Sequence, residues 1–339
     1  MLVNPLVTVI VPNYNHARFL NQRLDSIFNQ TYNNFEVILL DDLSQDNSIE
    51  VLDSYKDSRI IHRIYNKKNN GSPFKQWKKG LKLAKGDLVW IAESDDWADV
   101  TFLEKMIPIF SENENVAVAY SDMYYVDEHG IEIVDTFEEY TQQSHPTLWK
   151  NNHYYKGIDY VKDFMLNKCL IVNASSVVFK KDLGKKHIDR ILNYKKAGDW
   201  LFWNILLSEE DVYVYFRGNE KLNYFRYSVQ STRSYPTIEN KENGLIERTN
   251  VIFSTLNMLG LEQEKLQIKK REMLDWWAKD HSVIESLRIG FKSILDTAMF
   301  QETNVYSLYR HYIKYRIKNI PLIKTLRKNN YVQPNSLKN

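Results

Sequence analysis

The chain has 339 residues, 43% of them hydrophobic and 26% charged, with a formal net charge of +2, which suffices for one large α/β domain or two smaller ones around a sizeable core. Its single cysteine, Cys169, excludes an internal disulfide framework and fits a reducing compartment. The charge is uneven: no acidic residue follows Glu302, eight of the 45 basic residues lie from Arg310 onward, and the remainder is mildly acidic against 43 carboxylates, which speaks against a nucleic-acid-binding body.

Met1 to Pro5 carries no basic stretch ahead of an apolar one, so no signal peptide is expected. No apolar run approaches the roughly 18–20 residues that span a bilayer. Leu6 to Val11 is a β-branched apolar run that predicts the first strand, and it ends in the turn-rich Pro12-Asn13-Tyr14-Asn15. Phe19, Leu20, Leu24, Ile27 and Phe28 then recur at helical spacing. Phe35 to Leu40 predicts a second strand, closed by Asp41-Asp42. Asp46-Asn47-Ser48 can cap a helix carrying Ile49, Val51, Leu52 and Tyr55. Ile60 to Ile64 predicts a third strand, Asn69 to Pro73 a loop, and Phe74 to Ala84 a helix ending near Gly86. The fourth strand, Leu88 to Ala92, runs into Glu93-Ser94-Asp95-Asp96-Trp97.

Three carboxylates within four residues at a strand end repel one another and cost desolvation energy unless positive charge sits among them. A divalent cation that also holds a phosphate answers this, and so does an acidic turn that caps the next helix. The alternation of strands and helices predicts a parallel sheet with right-handed crossovers. Ligands of such sheets sit at the carboxyl ends of the strands, where Tyr14, Asp42 and Asp95-Asp96 all fall. Neither a Gly-x-Gly-x-x-Gly turn nor a Walker-type Gly-Lys-Ser/Thr loop is present. Readings based on NAD or a P-loop are therefore poor, and a metal held by Asp becomes the natural anchor for a diphosphate.

Farther on, Val116 to Met123 predicts a strand and Asp127-Glu128-His129-Gly130 a hairpin turn. Thr136 to Tyr155 is polar and aromatic without a period and reads as a functional loop. Its His145 and His153 read as surface residues. Asn173-Ala174-Ser175-Ser176 precedes the strand Val177 to Lys180 and could touch the hydroxyls of a bound ligand. Ser228 to Asn240, with Arg233, reads as a lid that closes over the site and excludes water. Residues 239–300 read as largely helical, with Leu266, Ile268, Met273, Trp276, Trp277 and Ile284 as core candidates. In the tail, Tyr309, Ile313, Ile317 and Ile320 recur at helical spacing, with Arg310, Lys314 and Lys318 alongside. Such a basic amphipathic helix suits an anionic membrane surface, or it docks on the body with its lysines in water.

Several of these stretches resemble the family 2 glycosyltransferases, which have the GT-A fold. They are Val7 to Asn15, Ser26-Ile27-Phe28-Asn29-Gln30-Thr31-Tyr32, Leu40-Asp41-Asp42-Leu43-Ser44-Gln45-Asp46-Asn47-Ser48, Ala84-Lys85-Gly86-Asp87 and Glu93-Ser94-Asp95-Asp96. The order is right over about residues 6–130, and a fainter likeness continues through Gly198-Asp199-Trp200 and Leu222-Asn223-Tyr224-Phe225-Arg226. The resemblance implies an α/β fold of GT-A type, a Rossmann-like mixed sheet flanked by helices, with a helical C-terminal extension. The GT-A domain would span 1–238, its donor half about 1–130 and its acceptor half about 131–238. The extension with the basic tail would span 239–339.

The resemblance further implies that Pro12 and Tyr14 line the nucleobase pocket, with Tyr14 stacking on the base and Asp42 hydrogen-bonding it. Asp95 would bind the ribose or lie close to the diphosphate, Asp96 would hold a divalent metal (Mn2+ or Mg2+), and Asp199 would be the catalytic base. The donor implied is a nucleotide sugar, with a UDP-sugar favoured, and the acceptor a saccharide or a lipid-linked one. The setting implied is the cytoplasm or the inner face of the membrane, in bacterial surface-polysaccharide synthesis. Inverting transfer needs positive charge on the leaving oxygens and a carboxylate opposite them to take the acceptor's proton. An Asp with an ordinary pKa near ~3.9 is ionised and available for that. Asp199 also reads as an N-cap for the aromatic helix that follows it.

Three departures stand out. Where the family often has Arg-Asn on the helix before the acidic element, this chain has Trp77-Lys78, with Lys75 one turn earlier, so Lys75 or Lys78 faces the diphosphate or both are solvated. Glu93 replaces the usual first Asp. Ser228 stands where many relatives have a His that completes the metal shell. These departures keep a catalytically inactive carbohydrate-binding or scaffold protein as the alternative.

Overall fold

In the computed structural model of the chain, residues 4–133, 136–227 and 238–261 and positions 310, 313 and 314 are described. The β-branched run after Pro5 forms β1 (Val7–Asn13), and the helical-period run forms α1 (Ala17–Phe28), which buries Leu20, Leu24 and Ile27. β2 (Phe35–Asp41), α2 (Ser48–Ser54), β3 (Ile60–Tyr65), α3 (Pro73–Leu83) and β4 (Leu88–Ile91) follow in the predicted order. Next come β5 (Trp97–Ala98), α4 (Phe102–Met106), α5 (Pro108–Glu112), β6 (Val116–Val126), α6 (Thr136–Gln142), β7 (His153–Lys156) and α7 (Gly157–Tyr160). β8 (Val177–Lys180), α8 (Lys181–His187), α9 (Gly198–Leu207) and β9 (Tyr213–Arg226) complete the first compact unit, Met1–Ser234. α10 (Ile238–Met258) lies in the second unit, Tyr235–Asn339, and buries Val251, Ile252 and Leu256. No described helix is long and apolar enough to cross a membrane.

The described strands form one mixed sheet of order β3-β2-β1-β4-β8-β6-β9-β5, with β7 on β9. β3, β2, β1 and β4 are mutually parallel, as the strand–helix alternation predicts. β8 then enters antiparallel to both β4 and β6, and β6 runs parallel to β9. β4 occupies the middle, with Leu88, Val89, Trp90 and Ile91 all fully buried. Each such side chain contributes about 1.5–3 kcal/mol of burial, so this strand end is a stiff platform. α3 lies tight against β1, because a Cβ on Gly80 would come within 2.5 Å of the Ile10 side chain.

The stretch 136–155 is not the loop its missing period suggests. It holds α6, a short 3₁₀ turn (Leu148–Lys150) and the start of β7. These elements are three to seven residues long, too short to display a period. Tertiary contacts order them instead: Phe137 and Trp149 are buried, and the Trp149 indole donates to the Tyr120 hydroxyl at 2.8 Å. His145 Nδ1 accepts the Leu148 amide at 3.0 Å, and the His153 ring packs 5.4 Å from Phe216. At Asp127 to Gly130 the turn forms as expected, with the Asp127 amide donating to the Ile131 carbonyl at 2.9 Å. The lid read into 228–240, with Ser228 and Arg233, lies outside the described residues except for the start of α10. The core candidates from Leu266 to Ile284 and the tail residues Tyr309, Ile317, Lys318 and Ile320 also lie outside them.

Candidate active site

Register decides what meets at the sheet edge. Pro12 pairs with Leu40 and Asn13 with Asp41, so Tyr14 and Asp42 emerge side by side. The Asp42 amide donates to the Asn13 carbonyl at 2.9 Å, and the Ala92 amide donates to the Ile10 carbonyl at 2.8 Å, which brings residues 93–96 to the same edge. The two adjacent aspartates separate here. Asp41 is fully buried and accepts from Asn13 Nδ2 and Ser44 Oγ at 2.7 and 2.6 Å, so it braces the turn. Asp42 borders a cleft of about 500 Å³, within the usual range for small-molecule sites. Its carboxylate accepts from Asn66 Nδ2 at 2.5 Å and from the Asn70 amide at 3.0 Å. Tyr14 stands 45% exposed at the lip.

Glu93, Asp95 and Asp96 form the acidic wall of this cleft. Burial, reinforced by Asp95, raises the Glu93 carboxyl to about 8 and pushes the Asp96 carboxyl upward as well. Two arginines answer the charge. Arg23 is fully buried, lies within electrostatic reach of all three carboxylates, and donates from Nε to the Glu93 carbonyl at 2.8 Å. Its burial lowers the guanidinium to about 10. Arg226, at the end of β9, donates its amide to Asp96 Oδ1 and its Nε to the Asp95 carbonyl, both at 2.9 Å. Its guanidinium also donates to the Asp127 and Glu128 carbonyls and to Gln22, between the rings of Phe19 (4.1 Å) and Trp97 (4.8 Å).

The opposite wall comes from α3, residues 172–174 and the start of α9. The Trp77 indole donates to Glu93 Oε1 at 2.8 Å. The longer arm of Glu93 thus reaches inward to an indole. A Cβ on Gly198 would lie 2.5 Å from the Phe74 ring, so only glycine lets the start of α9 close onto α3. Asp199 follows and borders the cleft. It is not the N-cap: Ala197 holds that position, and Asp199 lies inside the first turn, where Oδ1 accepts the Trp200 amide at 2.8 Å. The structure therefore brings Pro12, Tyr14, Asp42, Asp95, Asp96 and Asp199 together around one cleft.

It does not bring Lys75 or Lys78 there. Lys75 donates to the Asn70 carbonyl at 3.2 Å, and Lys78 pairs with Asp189 at 2.6 Å. Lys75 lies on the exposed face of α3, while Lys78, one turn after Phe74, flanks the buried stripe and turns its ammonium outward to Asp189. The cations that do border the cleft are Lys195, Lys196 and Arg226.

Arg23 had a signal in the sequence, since it interrupts the buried stripe Leu20–Leu24–Ile27, and a buried Arg must answer buried carboxylates. Lys195 and Lys196, in an aperiodic stretch, had none. For a divalent metal, the donor set of Asp95 and Asp96 is hard and oxygen-only, and burial, with Asp95 alongside, pushes the Asp96 carboxyl upward, a cost that a bound cation relieves. Among the described residues no group of three His, Cys, Asp or Glu is placed to hold a metal by itself. These carboxylates suit a cation that takes its remaining ligands from water or a bound diphosphate.

A family model described as glycosyl transferase family 2 matches residues 8–169. The chain is 35% identical over 119 residues to a UDP-Glc:alpha-D-GlcNAc-diphosphoundecaprenol beta-1,3-glucosyltransferase, WfaP, of Escherichia coli, which covers 35% of this chain and 46% of that protein. The matched part spans less than half the length of that relative and of two further curated glycosyltransferases. The fold is shared with S. aureus TarS 1–349 in complex with UDP-GlcNAc, at a TM-score of 0.57 and 16% identity, over 96% of this chain and 93% of that one. It is shared also with the mannosyltransferase PcManGT of Pyrobaculum calidifontis in complex with GDP-Man and Mn2+, at a TM-score of 0.51 and 14% identity, over 93% and 87%.

Proposed function

Residues 8–169 belong to glycosyl transferase family 2, and from that premise we propose that the protein transfers a sugar, with inversion, from a nucleoside-diphosphate sugar to an acceptor hydroxyl. The observation that carries this is the convergence of the exposed Tyr14 ring and the carboxylates of Asp42, Asp95, Asp96 and Asp199 on one cleft. Tyr14 stacks on the base, and Asp42, held by Asn66 and Asn70, accepts from its N–H groups. Asp95 takes the ribose, and Asp96 with Asp95 beside it would hold a divalent cation, which supplies positive charge to the leaving diphosphate when bound. Asp199, on the opposite wall, takes the proton of the attacking hydroxyl. The UDP and GDP donors named for the relative and the two solved structures support a nucleotide-sugar donor, with UDP favoured, and Mn2+ in one of them supports a manganese-type cofactor.

The relative's undecaprenyl-linked substrate supports a lipid-linked acceptor in surface-polysaccharide synthesis. The basic tail from Arg310 supports contact with an anionic membrane surface. A thermal-shift panel of UDP, GDP and their sugars with and without Mn2+ tests the donor site: metal-dependent stabilisation is expected, and none from any of them would sink it. Co-sedimentation with anionic liposomes, with and without residues 306–339, tests the tail, and equal binding by both forms would remove it from membrane contact.

A further inference from the structure

The wall opposite the carboxylates carries two amide side chains that the described protein leaves unanswered. Gln76, on α3, is 2% exposed, and neither its Oε1 nor its Nε2 has a hydrogen-bond partner among the described residues. Asn173 is 3% exposed. Its Oδ1 accepts the Ser175 amide at 2.6 Å, which fixes the carboxamide orientation, and its Nδ2 has no partner among the described residues. Both side chains border the cleft. A buried amide without partners costs its full desolvation, and such groups are rare enough in folded proteins that each asks for a reason. A leucine at position 76 would fill similar space without that cost.

Both amides flank Glu93. Gln76 precedes Trp77, whose indole holds the Glu93 carboxyl, and Asn173 opens the turn whose Ser175 hydroxyl accepts the Glu93 amide at 3.1 Å. The Phe74–Gly198 contact brings α3 against the start of the helix carrying Asp199. The pair thus lies between the acidic element and Asp199, while Tyr14 and Asp42 occupy the ends of β1 and β2. The groups on offer are one carbonyl acceptor and two NH₂ donors, all uncharged. Phosphate would call for cations and a base for an aromatic face. Hydroxyls, which both donate and accept, fit this set.

We infer that Gln76 and Asn173 form a subsite that grips the ring hydroxyls of the sugar being transferred. The inference rests on the donor reading above, with the diphosphate at Asp95 and Asp96 and the acceptor at Asp199. A site built to hydrogen-bond a hydroxyl discriminates strongly, because its own buried groups are left unpaired by the wrong ligand.

The test is calorimetric titration of the full chain with Mn2+ and UDP, UDP-glucose, UDP-galactose, UDP-GlcNAc, GDP and GDP-mannose, in wild type, Gln76→Leu and Asn173→Asp. Asn173→Asp keeps the oxygen that accepts the Ser175 amide and exchanges the NH₂ donor for a second oxygen, adding a carboxylate beside Glu93. Wild type is expected to bind one nucleotide sugar more tightly than its bare diphosphate. In each variant the ratio of that sugar nucleotide's affinity to its bare diphosphate's should fall about tenfold, a comparison that cancels the effect of the added charge on the diphosphate site. Gln76→Leu should also melt higher than wild type without ligand, which a merely structural glutamine would not allow. Unchanged sugar-nucleotide affinity, or an equal loss for bare UDP, overturns the inference. Intact donor affinity with only the acceptor KM raised assigns the hydroxyls to the acceptor and overturns it too. Failure of wild type to bind any nucleotide removes the donor reading itself, and the subsite with it.

Discussion

The two walls of the cleft are built on opposite terms. On the acidic wall the carboxylates and carbonyls are tied by hydrogen bonds within the protein, although both terminal nitrogens of Arg23 lack a partner among the described residues: Asp41 braces Asn13 and Ser44, and Arg226 ties Asp95, Asp96, Asp127, Glu128 and Gln22 together. On the facing wall the Gln76 carboxamide and the Asn173 Nδ2 lack partners among the described residues. A saturated wall holds its shape without ligand, because moving any one group would strand several others. The open wall carries the cost of groups kept ready for something that arrives. Stability should therefore reside mainly in the first wall, and chemistry and selectivity mainly in the second.

That division can be broken by substitution, beginning with the largest effect. Asp199→Asn should lower transfer by about 10²–10⁴-fold, the usual contribution of a positioned general base, with Tm and UDP binding unchanged. Steady-state rates beside a melting curve check this, and retained turnover would take Asp199 out of the base role. Arg226→Met should cost about 2–4 kcal/mol of stability in urea unfolding, since it strands buried carbonyls and the Asp95–Asp96 pair. A loss of activity without a loss of stability there would reverse the contrast between the walls.

Glu93 joins the walls through Trp77, and its test is pH. Its carboxyl is raised to about 8 in the fold. Between its ordinary value near ~4.5 and that value, the folded state keeps a proton that the unfolded chain releases, so stability falls as pH rises through this window. Glu93→Gln should remove the fall: its Tm should match wild type near pH 4 and exceed it by several degrees near pH 8, as roughly 1–2 kcal/mol would give. Parallel curves for the two proteins would show that Glu93 is ionised in the fold. The smallest effect is expected outside both walls. Lys78→Ala removes a half-exposed pair with Asp189 and should change stability by less than ~0.5 kcal/mol and leave UDP affinity unmoved.

The first four strands and their helices were legible because each carries a clean period and ends in turn residues, and a parallel sheet gathers strand ends on one edge whatever the details. Tyr14, Asp42, Asp95 and Asp96 could thus be placed together from the sequence. The stretch 136–155 was not legible, since α6, the 3₁₀ turn and β7 are held by Trp149, Phe137 and Tyr120 rather than by local pattern. The lysines of α3 were misleading for a related reason: a composition that suits a diphosphate says nothing about which face of the helix meets the sheet.

What the sequence determined by itself is the parallel strand–helix frame, the edge where ligands bind, and the carboxylates that crowd it, because these follow from periodicity and from the repulsion of like charges. The tertiary structure alone decided that Asp41 is structural while Asp42 faces the cleft, that Asp199 is no helix cap, that Arg23 and Arg226 supply the countercharge, and that the Gln76 carboxamide and the Asn173 Nδ2 find no partner among the described residues. Each of those depends on contacts between residues far apart in the chain, where register, burial and the partners a group finds are settled by packing rather than by neighbours in sequence.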